Sequence, residues 1–143
     1  MAAEDNRALI RRYYLDEVWN KGNFALVAKL IAPDCLVHDP AIPGISGPEG
    51  VIRFVTTWRT AFPDLQFTIE DHIAEGNKVA TRITLRGTQT GRLLDIAPTG
   101  KPVTVSGMTI SHVVDGKIVE IWITRDDLGL RRQLGVITPM EGA

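Results

Sequence analysis

The chain has 143 residues, 16 of them basic and 17 acidic, for a formal net charge of -1. That length fits one domain with a real core, and the lack of a basic surplus excludes a nucleic-acid backbone as an expected partner. The single cysteine, Cys35, excludes an internal disulfide and a cysteine-rich zinc site.

In chain order, residues 5–20 have helical periodicity, with Leu9, Ile10, Tyr13, Tyr14 and Val18 on one side. Gly22, in the break at 20–23, can take the left-handed conformation of a helix stop. Residues 24–31 predict a second short helix. Residues 35–39 predict a strand closed by Pro40, with Cys35 as a small buried hydrophobe. The Pro- and Gly-rich segment 40–48 predicts a loop. A third helix starts at residues 47–49, with Pro48 suited to its first turn. Val51, Phe54, Val55, Trp58 and Phe62 form its apolar stripe, and Pro63 stops it.

The period then changes to two. Leu65, Phe67, Ile69, Asp71 and Ile73 alternate with polar residues. A strand over 78–90 puts Val79, Thr81, Ile83 and Leu85 on one face. Residues 91–102 form a long loop. Strands over 103–114 and 117–125 flank the Asp115-Gly116 turn, and a short helix closes the chain with Asp126 as its N-cap.

Helices come first and strands joined by hairpins follow, which predicts a single α+β domain over residues 1–143. The last two strands are apolar on both faces. Val105, Val119, Ile121 and Ile123 share one parity; Met108, Ile110, Ile118 and Trp122 take the other. Helices can cover one face, so the outer face is expected to pack on a second subunit in a homodimer. No run approaches the ~18–20 apolar residues of a membrane span, and no signal peptide is expected. The expectation is a soluble cytoplasmic protein with no membrane partner.

Seven motifs carry a family resemblance: VWNKGN (18–23), HDP (38–40), FPDL (62–65), RGT-x-x-G (86–91), PTGK (98–101), DGKI-x-E-x-W (115–122) and D-x-x-G-x-x-x-QLG (126–135). Together they span nearly the whole chain, which resembles the SnoaL-like polyketide cyclase family. The resemblance implies the nuclear-transport-factor-2-like cone: three N-terminal helices on a curved antiparallel sheet, enclosing one deep pocket. It also implies cofactor-free ring closure of a polyketide ester by proton abstraction. Ketosteroid isomerases share the fold and shift a double bond by enolisation.

Both chemistries need a base beside a carbonyl and donors at the developing oxyanion. Aligned on DGKI and QLG, the family's catalytic aspartate position falls on Ile123, and two histidine positions fall on Ile121 and Thr109; none of the three can move a proton. His112 and Asp126 are nearby substitutes. A three-residue loop with Gly116 in a bulge would set Thr109 opposite Ile121 and turn His112, Trp122 and Asp126 to the other side. A two-residue Asp-Gly turn would shift the pairing by one, so both registers stand open.

Asp39-Pro40 matches the isomerase general base. Its plainer reading is a turn residue bonding its own backbone. His38 is a further catalytic candidate, and Tyr13 or Tyr14 lies near an oxyanion-binding tyrosine of those enzymes. Trp19, Trp58, Thr109, Ile121 and Ile123 are candidate pocket walls. His72 sits among polar positions and is expected at the surface. The three histidines have no metal-ligand spacing, so no metal is expected, and the resemblance implies no cofactor.

The leading expectation is a protein that binds a small hydrophobic carbonyl compound and acts on it as a cyclase or isomerase. One alternative is a binding module without chemistry. The other is a cofactor-free epoxide hydrolase, which needs a buried Asp-Arg-Asp group that Asp39 and Arg82 match in part.

Overall fold

The chain lays down six strands: Ile31–His38 (β1), Ile45–Ser46 (β2), Gln66–Glu75 (β3), Lys78–Thr88 (β4), Pro102–Val114 (β5) and Lys117–Arg125 (β6). They form one sheet in the order β2-β1-β6-β5-β4-β3. The computed structural model describes residues 3–137. All neighbours are antiparallel except β1 and β6, which run parallel. The sheet is therefore mixed rather than wholly antiparallel.

β1 is longer than predicted and begins at Ile31, which pairs with Ile118. Its register shifts between Ile31 and Leu36, a break that contains Pro33. Proline has no N–H for a ladder and is tolerated at such irregularities. Inside the expected 40–48 loop, Ile45 and Ser46 pair with Val37 and Leu36 as β2. Cys35 is buried, and burial pushes its thiol up to about 11.

The β5–β6 hairpin decides which residues face inward. Asp115 and Gly116 have φ of 49° and 76°, and Val114 pairs with Lys117. This is the two-residue turn whose twist suits a hairpin. The register then shifts at Val119, after which Ser111 faces Ile121 and Thr109 faces Ile123. Turn and bulge together move the three-residue-loop pairing by two positions, so parity survives: Thr109, Ile121 and Ile123 stay on one side, with His112 and Trp122 on the other. The bulge does reassign Ile118, which is fully buried on the inner side instead of facing out with Met108 and Trp122.

A second bulge, between Ile69 and Asp71 in β3, inverts the alternation read from sequence. Phe67 and Ile69 pack on the core, but beyond the bulge Ile73 is exposed and His72 turns inward. His72 is half-buried, and neither ring nitrogen has a hydrogen-bond partner. The surface expectation for His72 is corrected accordingly.

The helices cover the inner face. Ala3–Ala8 (α1) passes into a π-helix, Leu9–Asn20. Its i→i+5 hydrogen bonds spread each turn over more residues than an α-helix. Ile10, Tyr14, Leu15 and Trp19, spaced four and five apart, therefore share the buried side. Tyr13 is rotated out and is 44% exposed. The α-helical period had grouped Tyr13 with the buried residues.

A 3₁₀ turn at Phe24–Leu26 leads into Val27–Leu30 (α2). The third helix, Gly47–Ala61 (α3), carries Pro48 in its first turn and buries Val51, Phe54, Val55 and Trp58. The VWNKGN motif ends the π-helix. Asn20 grips the β3 backbone, accepting from Phe67 N at 2.7 Å and donating to its carbonyl at 3.2 Å. Arg59 of α3 donates to the carbonyls of Trp19 and Asn20 at 2.7 and 2.9 Å. Those acceptors are left open where a helix ends.

The other motifs hold the loop over 89–101. Asp64 of FPDL accepts from Thr88 N at 2.8 Å. Gln89 is fully buried, donates to the Ile96 and Ala97 carbonyls and accepts from Thr99 N and Oγ1. Gly91 leaves no room for a side chain, because a Cβ would land on the Thr60 carbonyl oxygen. The closing helix, Asp127–Gln133 (α4), is capped by Asp126, which accepts from Gly129 N at 2.8 Å as the sequence predicts.

Candidate functional site

Between the π-helix, α3 and the inner sheet face lies a narrow cavity. Its walls are Ile10, Tyr14, Leu15 and Trp19 of the π-helix, Phe54 and Trp58 of α3, and Phe67, Ile83, Leu85, Val105, Thr109 and Ile123 of the sheet. Trp19 meets Phe54 and Phe67 edge to face, with ring centroids 5.2 and 5.1 Å away. A water centre has about 50 Å³ of room inside. A water needs roughly 10–15 Å³ on that measure, so the space holds a few waters.

The inward polar groups are few: Tyr14, Thr109 and Arg125, while Ser106 and Thr124 border the cavity with the outward strand parity. Among the described residues, no carboxylate and no imidazole lines this cavity. Burial pushes the Tyr14 phenol well above its ordinary pKa, partly offset by a hydrogen bond from Trp19. The hydroxyl stays protonated near neutral pH. Trp58 carries a buried indole N–H with no acceptor, the kind of unpaired donor that costs about 1–3 kcal/mol.

Arg125 closes one end. Its side chain is 10% exposed and that of Asp39 is 0% exposed. Asp39 takes the guanidinium in a fork, Nη1 to Oδ2 at 2.9 Å and Nη2 to Oδ1 at 3.0 Å. Arg125 Nε donates to Asp127 at 2.7 Å. Its guanidinium carbon sits 4.5 Å from the Trp58 ring centroid, a cation–π contact. Burial works against the charge, but hydrogen bonds to Asp39 and Asp127 outweigh it and raise the Arg125 pKa. Of five N–H groups, one on Nη1 is left without a partner.

Several candidates from the sequence lie elsewhere. Asp39 is absent from the cavity lining. Its Oδ1 accepts from Ala41 N and Ile42 N at 2.8 and 3.1 Å, the turn arrangement of its plainer reading. His38 lies on the outer face, stacked on Trp122 and 2.6 Å from Glu120. Tyr13 points to solvent. Ile121 is fully buried in the core one step below the cavity, so of the pair only Ile123 is a wall. Tyr14, Trp19, Trp58, Thr109 and Ile123 do come together.

Arg82 does not meet Asp39. It pairs with Asp71 on the outer face at 2.6 Å. The Asp-Arg-Asp group is instead Asp39–Arg125–Asp127. Sequence reasoning passed over Arg125, although its signal was present: it continues the inward series Ile121, Ile123 by the same step of two. No three His, Cys, Asp or Glu side chains among the described residues gather as metal ligands would. No described helix is long and apolar enough to cross a membrane.

The profile of the SnoaL-like polyketide cyclase family matches residues 8–134. The aklanonic acid methyl ester cyclase DauD of Streptomyces sp. (strain C5) is 31% identical over 138 residues, covering 89% of this chain and 80% of that protein. The aklanonic acid methyl ester cyclase DnrD of Streptomyces peucetius is 32% identical over 133 residues, covering 89% and 88%. The structure of TsrD from Streptomyces laurentii superposes with a TM-score of 0.84 at 28% identity, covering 96% of this chain and 100% of that one.

Proposed function

Because the chain belongs to the SnoaL-like polyketide cyclase family, we propose that its cavity binds a small, largely apolar carbonyl compound and orients it without supplying a base. One observation carries this reading: the apolar walls end at Arg125, with the Trp58 ring beside it, and offer no carboxylate or imidazole. A neutral carbonyl oxygen suits the Arg125 donor. A ligand carboxylate does not, since Arg125 with Asp39 and Asp127 already sums to a formal charge of -1. The room of about 50 Å³ is well below the ~300 Å³ of pockets for drug-sized ligands. A small ketone or β-ketoester therefore fits better than the named methyl esters of the two relatives. Asp39 is, on this reading, the counter-ion that positions Arg125.

Titration with small aryl ketones and β-ketoesters, followed by tryptophan fluorescence, tests this. Trp58→Phe keeps an aromatic face but trims the indole to a single ring, and should weaken binding about tenfold. Unchanged affinity would remove Trp58 as a wall that the ligand touches. An aryl epoxide in the same titration supplies the contrasting arm: its conversion to a diol would favour the hydrolase reading of Asp39–Arg125–Asp127.

The outer sheet face supports a homodimer as part of the same proposal. One row across five strands, His38, Trp122, Ile110, Ala80 and Ile73, lies in register on that face. Ile73, Met108 and Ile110 are 67%, 58% and 44% exposed. Exposed apolar patches of this kind mark association surfaces. Ile110→Asp should convert a dimer to a monomer in size-exclusion chromatography with light scattering. A wild-type protein already monomeric at high concentration rejects this assembly.

A further inference from the structure

The end of the cavity has a second side. Arg125 and Trp58 border the main cavity, and both also border a smaller chamber under the loop over 89–101. Leu93, Leu94 and Ile96 of that loop and Leu130 of α4 line it, and a water centre has about 50 Å³ of room inside. The two spaces thus share the contact between the Arg125 guanidinium and the Trp58 ring.

The loop is not held evenly. Its ends are fixed from within. Gly91 N donates to the Ala61 carbonyl of α3 at 3.1 Å. The buried Gln89 side chain donates to the carbonyls of Ile96 and Ala97. Between these anchors, residues 92–95 form a tip. Leu93 and Ile96 exchange both backbone hydrogen bonds, at 2.9 and 2.7 Å, around Leu94 and Asp95. Leu94, at the bend, has φ of 52° and is exposed. That left-handed region is strained for leucine, and such strain collects at segments that move. The tip is tied to α4 by Asp95, which accepts from Arg131 at 3.1 Å, with side chains 73% and 37% exposed. Ion pairs this exposed hold weakly. Leu93 is the buried part of the tip, and it walls the chamber.

We infer that the 92–95 tip is the door through which ligand reaches the cavity: it lifts off α4, withdraws Leu93 and opens the chamber that ends on Arg125 and Trp58. The route rests on the cavity being the ligand site. Strain at Leu94 favours lifting, because an opened turn releases it. Burial of Leu93 and the Asp95–Arg131 pair favour closure. Small opposing contributions of this kind make a segment that opens alone, while Gln89 and Gly91 stay anchored. Closure then keeps bulk water from the Arg125 end of the site, which strengthens a hydrogen bond made there.

Backbone amide exchange, followed by NMR on the full chain, tests the door first. The Leu93 and Ile96 amides should exchange about tenfold faster than those of Gln89 and Gly100, which bond to the carbonyls of Lys101 and Gln89 at the base of the loop. Asp95→Ala should speed Leu93 and Ile96 about two- to fivefold and leave the base unchanged. Equal protection of tip and base would mean that the tip does not open alone, and would overturn the inference.

Acetophenone binding in stopped flow gives the second readout. Asp95→Ala should raise the association and dissociation rates by a common factor and leave Kd unaltered. The double variant Asp95→Cys/Arg131→Cys, joined by a short thiol crosslinker, should slow both rates about tenfold or more. Unchanged rates in the locked protein would put the entrance elsewhere and overturn the inference, yet leave the cavity reading standing. If acetophenone binds no form of the protein, the cavity reading fails, and the amide comparison alone decides whether the tip is a door.

Discussion

Asp39→Asn should lower folding stability by about 1.5–3 kcal/mol, the worth of hydrogen bonds to a charged group, since Arg125 keeps its pairing with Asp127. The amide oxygen can still accept from Ala41 N and Ile42 N, so the turn keeps its hydrogen bonds. What is lost is the two-pronged pairing with an Arg125 side chain only 10% exposed. Urea denaturation of Asp39→Asn, Arg125→Met and the double variant measures the pair directly. The double variant should recover part of the loss, because an apolar side chain removes a guanidinium that has lost one of its two carboxylates. A single-variant loss below about 1 kcal/mol would mean the pair behaves like a surface contact.

Ile123→Asp should raise exchange of the α-protons of a bound ketone in D₂O by about 10²–10⁴-fold, the usual contribution of a placed general base. Ile123 is half-buried in the cavity, and the family resemblance implies a catalytic aspartate at this position. A carboxylate there would have apolar neighbours that raise its pKa toward that of a useful base. Ile123→Asn, of nearly the same size but unable to take the proton, should gain nothing. Wild type and Ile123→Asp exchanging at equal rates above the protein-free background would mean that a base already operates, and would sink the baseless cavity. Asp39→Asn tells which residue it is. If Asp39 is the base, exchange per folded molecule falls toward background in that variant; if Asp39 only positions Arg125, most of it persists.

Much of the fold was legible because its signals are local. The stripe on α3, the Pro48 entry, the Pro63 stop and the Asp115-Gly116 turn are each set by neighbouring residues. The Asp126 cap is local as well. What the pattern missed were insertions into regular spacing. The bulges at residues 70 and 119 each change which side later residues face, and a single chain carries no mark of where an extra residue sits. His72 and Ile118 were misassigned for that reason. Tyr13 was misassigned because a π-turn and an α-turn begin with the same residues and diverge only in winding. For the site, Tyr14, Trp19, Trp58, Thr109 and Ile123 could be read from periodicity and alignment. The tie between Asp39 and Arg125 could not, since it spans 86 positions and depends on β1 lying beside β6.

That parallel pairing has a consequence for the order of assembly on the ribosome. β1 leaves the exit tunnel early, yet its neighbour in the sheet is the last strand to be made. Until residue 125 has emerged, β1 has only the two-residue β2 beside it, and the Asp39 carboxylate remains in water. Long-range closure of this kind is slow. A nascent chain halted before β6 would thus present an unpaired early strand to chaperones, and the domain can lock only near the end of its own synthesis.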